Sequence, residues 1–440
     1  MLSYPFFEKF PVRTSLRSSY KRESNFYGVA IDCIKCHGRL YTKPLSCGHA
    51  YCPVYTKVSY FKTVRLEKEQ FVGTAPTVFV GRYNYPHLNV GILAPPDRVE
   101  NEPELYDAPR EWSARNFQAE DVLSFRGALI NSRFQTHIKQ KPRFLALTQE
   151  VAMASKPVDV EFLLEKKPVY QIQISDVETV LGARAVLKKA VFQENPHIPV
   201  PVEKVVSDTD LKAVDAMTML YRTGFNETQI TRLLSVGTLG VKIQRKLVPT
   251  RFSITAVDDH IGKGLIEEIK DYDVGDYRTC FGGYLGNYYL ILFFPQVWSY
   301  ELFEMYMPST LLNPDTEVQW STDHEFYSGR KTYAEQCAGG YYAARLPVLE
   351  KLKEIKKQQG VFVLRFITDE YTTPLGVFVC REAARMSLKS AYQYFDSKES
   401  MIRYAKEFVM KKFGFDLNPL LQRSVLLQHI AQQKKLLDFL

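Results

Sequence analysis

The chain has 440 residues, which is too long for most single hydrophobic cores and predicts two or three domains. Its 45% hydrophobic and 24% charged residues exclude a disordered chain and indicate an ordinary globular protein. The formal net charge of +8 permits contact with nucleic acid but does not require it, because the excess is spread over a large surface.

The sequence shows no targeting or membrane segment. The first five residues carry no basic stretch followed by an apolar one, so no signal peptide is predicted. The longest apolar run, residues 288–294, has the length of a buried strand and falls far short of a membrane span. Seven cysteines, four of them between positions 33 and 52, favour a reducing compartment over a disulfide framework. We therefore expect a cytoplasmic protein.

The four clustered cysteines have the spacing of a zinc site. Cys33 and Cys36 form one pair, and Cys47 and Cys52 form a second pair after a short connection. Two such pairs can converge on one tetrahedral ion. His49 is the alternative ligand within the second pair, and a set of free cysteines is the alternative to a zinc site. We expect one structural zinc ion, acting either as a folding staple or in nucleic-acid recognition.

Residues 76–80 predict a strand that runs into a loop, 81–91, whose composition suits nucleic acid. The loop has glycines at both ends and contains two tyrosines, a histidine and Arg82. Aromatic rings offer stacking faces, and the arginine offers a cation to a phosphate or a base. The alternative is a β-hairpin with surface tyrosines.

Helical patterns follow in the middle of the chain. One is predicted over residues 180–192, and a clearer pair lies over 211–222 and from Asn226 to about residue 234. The basic segment 239–246 is predicted as a further helix, so the arrangement resembles a helix-turn-helix. Six basic residues and one acid lie from position 222 to 251, a local charge that can hold phosphate. A solvated basic face is the alternative.

The block 245–259 carries the candidate central site. Residues 248–257 have the composition of a strand, in which Arg251, Ser253 and Thr255 would share one face. Cations beside hydroxyl groups suit a phosphate. The predicted phosphate or nucleic-acid ligands are therefore the basic side chains in and near this block, Arg245, Lys246 and Arg251, followed by Arg82. A polar outer face of an antiparallel sheet is the alternative.

Asp258 and Asp259 follow this predicted strand directly. Paired carboxylates can bind a divalent ion or act as a general base, so these two residues are the candidates for catalysis if the central site is an enzyme's.

The C-terminal third predicts a smaller α+β layer. A helix is expected from Leu346 to about residue 358 and a strand over 361–367. Three isolated cysteines in the second half of the chain are expected in the core, namely Cys280, Cys337 and Cys380.

The last eight residues, 433–440, have the spacing of a partner-binding motif. Gln433 is followed by Leu436 and then by the adjacent pair Phe439 and Leu440. One helical turn brings Leu436 and Phe439 to the same side. The pattern resembles the PIP box, by which replication and repair proteins dock on the sliding clamp (PCNA). The alternative is a tail that continues an amphipathic helix of the chain's own domain.

Three features together resemble the archaeal Nre family of DNA-repair proteins, of the NreA type: the cysteine cluster, the block 245–259 and the terminal box. Residues 81–83, 89–91 and 340–345 extend the resemblance over nearly the whole chain. It implies a role in DNA repair and docking on the clamp, and it brings no catalytic mechanism with it.

We therefore expect an α+β (mixed α/β), multi-layer protein of four parts. These are a zinc module (1–70), a central mixed sheet with helices (71–295), a C-terminal α+β layer (296–425) and a flexible tail (426–440). The predicted function is a DNA-repair protein that docks on the clamp and binds DNA or a nucleotide phosphate at the basic central site. The alternative is a metal-dependent enzyme that processes nucleotides or phosphodiesters in DNA repair.

Overall fold

The structure, a computed structural model, describes residues 68–169, 182–308, 310, 312–313 and 315–432. The cysteine cluster at 33–52 and the terminal box at 433–440 lie outside these residues. Two six-stranded sheets with helices form the described part, which confirms the predicted mixed α+β class. No helix in the described ranges has both the length and the apolar character needed to cross a membrane.

Each sheet is mixed, with one parallel pair among antiparallel neighbours. Sheet 1 has the order β1-β5-β6-β4-β3-β2, in which β4 and β6 are parallel. Sheet 2 has the order β10-β9-β11-β8-β7-β12, in which β9 and β11 are parallel. The strands are β1 (Gln70–Ala75), β2 (Thr77–Val80), β3 (His87–Ala94), β4 (Ile130–His137), β5 (Val158–Leu164), β6 (Arg184–Phe192), β7 (Arg278–Tyr284), β8 (Asn287–Phe294), β9 (Ser299–Tyr306), β10 (Gln319–Glu325), β11 (Gly360–Ile367) and β12 (Tyr392–Tyr394).

Helices cover these sheets and connect their strands. They are α1 (Pro109–Ala114), α2 (Ala119–Ala128), α3 (Arg143–Met153), α4 (Val200–Ser207), α5 (Ala213–Arg222), α6 (Glu227–Ser235), α7 (Thr250–Ile269), α8 (Ala338–Glu354), α9 (Phe378–Lys389), α10 (Lys398–Phe413), α11 (Asn418–Arg423) and α12 (Val425–Gln432).

Sheet 2 is the middle layer of a three-layer arrangement. Along β8, Ile291 and Phe293 pack on the side of α7, α8 and α9, whereas Leu290 and Leu292 pack on the side of α10, α11 and α12. A strand buried on both faces needs apolar residues at consecutive positions. This explains the apolar run at 288–294 and confirms the buried strand predicted there.

Strands on both sides of residue 295 belong to sheet 2, since β8 and β9 both neighbour β11. The predicted boundary between the central and C-terminal parts thus falls within this sheet. Sheet 1 has a core of its own, to which α3 contributes Leu145 and Val151.

The prediction of a strand over 248–257 is wrong, because residues 250–257 form the first part of helix α7. Ser253, Val257, Ile261 and Leu265 are buried at every fourth position, which is the repeat of a helix and not of a strand. Arg251 is exposed and Ser253 is fully buried, so the two side chains do not share a face.

The helix predicted over 180–192 is also wrong, since residues 184–192 form β6. Ala185 and Leu187 are buried while Val186 and Lys188 are exposed, an alternation typical of a strand. β6 pairs with β5, and the register shifts at Leu163/Leu164.

The two helices of the predicted helix-turn-helix are confirmed as α5 and α6, but the further helix predicted over 239–246 is wrong. Asn226 caps α6: its side chain accepts a hydrogen bond from the Gln229 backbone nitrogen at 2.9 Å. The basic segment then forms only the short 3₁₀ turn Lys242–Gln244. A 3₁₀ turn of this length cannot act as the recognition helix of a helix-turn-helix motif.

Candidate nucleic-acid interface

The loop between β2 and β3 presents two tyrosines to solvent. Its ends are closed by a hydrogen bond from the Gly81 nitrogen to the Asn89 oxygen, at 2.8 Å. Tyr83 and Tyr85 are each 57% exposed. The Arg82 guanidinium lies 4.9 Å from the centre of the Tyr83 ring and donates a hydrogen bond to its hydroxyl at 2.9 Å. The loop therefore combines a cation with aromatic faces, as its composition indicated.

The segment from the end of β4 to the start of α3, residues 137–143, lies beside this loop. The Ile138 nitrogen donates to the Pro86 oxygen at 3.0 Å, and the rings of His87 and His137 lie 5.2 Å apart. Three exposed cationic side chains occupy this segment, namely Lys139, Lys141 and Arg143. These cations could not be predicted as part of a site, because nothing in the sequence shows that 137–143 and 81–86 are neighbours.

The central block lies next to the same segment. The Leu247 nitrogen donates to the Ile138 oxygen at 3.0 Å. The Val80 nitrogen, just before the tyrosine loop, donates to the Thr250 hydroxyl at 2.9 Å. Arg251 follows in the first turn of α7 and is exposed, and Lys246 is half-buried. These hydrogen bonds bring residues 81–86, 137–143 and 242–251 together, and we call this surface the basic surface.

Arg245 is held by the protein's own backbone. Its guanidinium donates to the carbonyl oxygens of Gly240, Val206 and Asp208 at 2.6, 2.8 and 2.7 Å. Burial lowers the pKa of this guanidinium, although nearby Asp208 acts in the opposite direction. Arg245 therefore positions the 3₁₀ turn beside it, whereas Arg82, Lys246 and Arg251 lie on the basic surface.

The charge of the basic surface follows directly from the sequence. No aspartate or glutamate occurs in residues 70–96, 122–149 or 228–257, and these stretches supply all three segments of the surface. These segments therefore bring cations but no acidic residue of their own to one place, although the net charge of +8 is modest for 440 residues.

Asp258 and Asp259 lie further along α7, and both are bound by cations of the protein. Asp258 is 1% exposed and accepts a hydrogen bond from Arg381 at 2.5 Å. Burial raises its pKa to about 6, against the influence of Arg381. Asp259 accepts from Arg345 and Lys263, each at 2.7 Å. The two carboxylates thus face different cations of the protein.

Asp258 belongs to a buried ionic cluster, which sequence reasoning missed. At its centre, Glu227 is 1% exposed and accepts hydrogen bonds from Arg110 at 2.5 Å and from Arg385 at 3.0 Å. Arg381 lies 3.6 Å from Glu227 and connects it to Asp258. The cluster joins α1, α6, α7 and α9, so it holds the helical layer together.

A cavity of about 240 Å³ lies elsewhere, between the end of α3, the start of α4 and the turn that joins α5 to α6. Its lining includes Met153, Val202, Phe225 and Arg232 and none of the predicted site residues. Within the described ranges, no group of three or more His, Cys, Asp or Glu side chains is placed to hold a metal ion. Cys280, Cys337 and Cys380 are free and buried, as predicted.

Comparisons with known proteins agree with the resemblance seen in the sequence. The family model "Archaeal Nre, N-terminal" matches residues 46–313, and "Archaeal Nre, C-terminal" matches residues 325–439. No solved structure matches the chain.

Curated relatives match along most of their length. DNA repair protein NreB of Archaeoglobus fulgidus is 36% identical over 411 residues, covering 93% of this chain and all of the relative. DNA repair protein NreA of Haloferax volcanii is 37% identical over 349 residues, covering 77% and 82% of the two chains. NreA of Archaeoglobus fulgidus is 33% identical over 389 residues, covering 87% and 95%. The chain therefore belongs to the archaeal Nre family.

Proposed function

We propose that this chain acts in DNA repair and binds DNA, or a nucleotide phosphate, at the basic surface. The role in repair is supported by the relatives, each of which is named a DNA repair protein. The binding is supported by one structural observation: three stretches without acidic residues meet through backbone hydrogen bonds and carry exposed cations. Local positive charge of this kind supplies most of the affinity of a protein for a phosphate backbone.

Helix α7 adds to the attraction for phosphate. Its first turn carries Arg251, and the positive end of its dipole lies at Thr250, beside the tyrosine loop. Just before the neighbouring helix α8, the Asp323 carboxylate accepts hydrogen bonds from the nitrogens of Gln336 and Cys337. An acidic side chain thus already lies at the start of α8 and would repel a phosphate there.

Replacing Lys246 and Arg251 together by glutamine should weaken DNA binding and flatten its dependence on salt. Each lost phosphate contact reduces the slope of log K against log salt by roughly 0.9 for duplex and 0.7 for single-stranded DNA. Fluorescence anisotropy over a salt series measures both quantities. Lys411→Gln, an exposed lysine on α10, is the matched control and should bind as the unaltered protein does. An unchanged slope in the double variant would argue against the basic surface.

Binding without catalysis is the function that the geometry favours. The enzyme alternative needs Asp258 and Asp259 to hold a metal ion or to activate water, yet Arg381 neutralises the first, and Arg345 and Lys263 the second. A carboxylate already paired with a guanidinium is a poorer base and a poorer metal ligand, because its charge is already balanced.

We also propose that Cys33, Cys36, Cys47 and Cys52 hold one zinc ion, with His49 as the alternative ligand. The support is the donor set itself, because thiolates in two closely spaced pairs suit tetrahedral zinc. The ion would stabilise the fold of the N-terminal segment.

Metal analysis of protein purified without chelator should find one zinc ion per chain. The variant Cys33→Ser with Cys36→Ser should lose it, since two of the four ligands are removed. Cys380→Ala removes a buried cysteine outside the cluster and should retain the ion. Unaltered protein without zinc would show that the cluster is not a zinc site.

Docking on the sliding clamp (PCNA) is the third part of the proposal, through Gln433, Leu436, Phe439 and Leu440. It is supported by the motif and by its position: the box begins directly after α12, whose Leu426 and Ile430 are buried in the core of the protein. An anchored helix followed by a partner-binding motif can tether the basic surface close to DNA that carries a clamp.

A further inference from the structure

We infer that the basic surface is built for single-stranded DNA, with Tyr83 and Tyr85 as stacking faces for unpaired bases. This inference rests on the proposed binding of DNA at the same surface and names the form of DNA that is bound. It assigns a role to the two tyrosines and to the cations at 139–143, none of which belongs to the predicted central site.

The tyrosines are exposed on a loop whose backbone is fixed. Both tyrosines are more than half exposed, although each ring could bury a large apolar area. The loop is closed by the bond between Gly81 and Asn89 and by a second bond from the His87 nitrogen to the Asn84 oxygen at 2.8 Å. A fixed loop presents the rings without the entropic cost of ordering it on binding.

Exposed aromatic rings gain more from unpaired bases than from a duplex. In a duplex the base faces are already stacked on one another, whereas a single strand offers each base face to an aromatic side chain. Arg82 adds to such a contact, because its guanidinium already lies over the Tyr83 ring and carries positive charge beside the stacked base.

The cations at 139–143 provide a path for the phosphates. Lys139, Lys141 and Arg143 are exposed along one segment, which the bond between Ile138 and Pro86 holds against the tyrosine loop. Bases on the tyrosines would place the adjoining phosphates near this segment. A basic groove beside aromatic side chains is the arrangement that binds single strands with little sequence preference.

Recognition of double-stranded DNA has less support at this surface. The segment predicted as a recognition helix forms only the 3₁₀ turn Lys242–Gln244. An element of this length does not fill a major groove as a recognition helix does. The exposed tyrosines and the cations at 139–143 instead suit bases that are already unpaired.

Anisotropy titrations with labelled oligo-dT and with a duplex hairpin test the inference on the full chain. We expect tighter binding to oligo-dT. Tyr83→Ala with Tyr85→Ala should weaken that binding by on the order of ten- to hundredfold for each stacked base lost, and should affect the duplex much less. Tyr83→Phe with Tyr85→Phe keeps both rings and should retain most of the affinity.

Tyr394→Ala is the matched control, because Tyr394 is 59% exposed but lies on β12 of sheet 2. Equal affinity for duplex and single strand, or unchanged oligo-dT binding in the double alanine variant with an unaltered melting temperature, would overturn the inference. Tighter binding to oligo-U than to oligo-dT would assign the surface to RNA instead. Failure to bind any nucleic acid would contradict the proposed binding of DNA itself, so this outcome can be told apart from a failure of the inference alone.

Discussion

Replacing Glu227 by glutamine is expected to lower the free energy of unfolding by about 3–5 kcal/mol, the usual cost of removing one partner from a buried ion pair. Glu227 is 1% exposed and receives charge-assisted hydrogen bonds from Arg110 and Arg385, with Arg381 at 3.6 Å. Glutamine has nearly the same shape but no charge, so the largely buried guanidinium groups of Arg381 and Arg385 would lose their central counter-charge. Urea unfolding at neutral pH measures the loss.

The dependence on pH provides a second measure of the same cluster. Burial opposes ionisation of Glu227, but Arg385, Arg381 and Arg110 outweigh it and hold the pKa of this carboxyl well below its usual value. Its contribution is therefore present above the unfolded pKa of about 4.3 and is lost as pH falls toward the folded pKa. As pH falls below about 4.3, the free energy of unfolding should therefore decrease less for Glu227→Gln than for the unaltered protein.

Asp258 contributes to the pH dependence of stability in the opposite direction and over a different pH range. Its folded pKa of about 6 lies above the unfolded value. Its contribution is full below an unfolded pKa of about 3.9 and is lost as pH rises through about 6. The loss attributed to Glu227 occurs as pH falls below about 4.3, whereas that of Asp258 occurs as pH rises toward about 6, so the two residues can be told apart by the direction of the change.

The matched control for Glu227 is Glu267→Gln. Glu267 pairs with Lys270 at 2.6 Å, but its side chain is 72% exposed. An exposed pair of this kind contributes about 0–1 kcal/mol, so the variant should be nearly as stable as the unaltered protein. Equal effects of the two substitutions would mean that the buried cluster does not hold the helical layer together.

Local signals predicted the parts of the fold that depend on neighbouring residues. Asn226 and Gln229 form the capping box that starts α6, and a box of this kind is complete within four residues of sequence. The run at 288–294 predicted a buried strand because it is apolar at consecutive positions. Neither feature depends on distant parts of the chain.

Helix α7 was mispredicted because its first residues are rich in β-branched side chains, which favour strands. The true signal is the four-residue repeat that extends to Ile269, well beyond the segment judged as a strand. The helix predicted from Leu346 begins instead at Ala338. Its first turn contains glycine, which disfavours helix interiors, so the sequence pattern places the start of the helix too late. Tertiary packing requires glycine at position 340, because any side chain there would collide with the Glu304 carboxylate.

The candidate site was predictable only in part. Arg82 and Arg251 stand out by local composition, and both lie on the basic surface. Lys139 and Lys141 do not stand out, because their relevance depends on a hydrogen bond between Ile138 and Pro86, residues far apart in the sequence. The role of Arg245 was hidden for the same reason, since its partners are carbonyl groups that the fold brings to it.

Deleting residues 433–440 is expected to abolish binding to the sliding clamp while leaving the melting temperature nearly unchanged. Burial of Leu436, Phe439 and Leu440 in the clamp is worth roughly 1.5–3 kcal/mol for each side chain, and ordering the segment costs on the order of 2–5 kcal/mol. Moderate affinity that disappears with the box is the expected result. Titration calorimetry measures it.

The unchanged melting temperature follows from how α12 is held. The Glu301 carboxylate accepts hydrogen bonds from the backbone nitrogens of Val425 and Leu426, both at 3.1 Å, which fixes the start of the helix. Leu426 and Ile430 then bury its apolar face. None of these contacts involves residues beyond Gln432, so removing the box leaves them in place.

Two adjacent glutamines give the sharpest control for the clamp box. Gln433→Ala removes the polar anchor of the motif and should weaken clamp binding, whereas Gln432→Ala changes an exposed residue at the end of α12 and should not. Equal effects of the two substitutions would mean that the spacing of the motif has no role. A melting temperature lowered by several degrees on deletion would instead show that the segment packs on its own domain. The basic surface would then have no tether of its own, and delivery to DNA would depend on its charge alone.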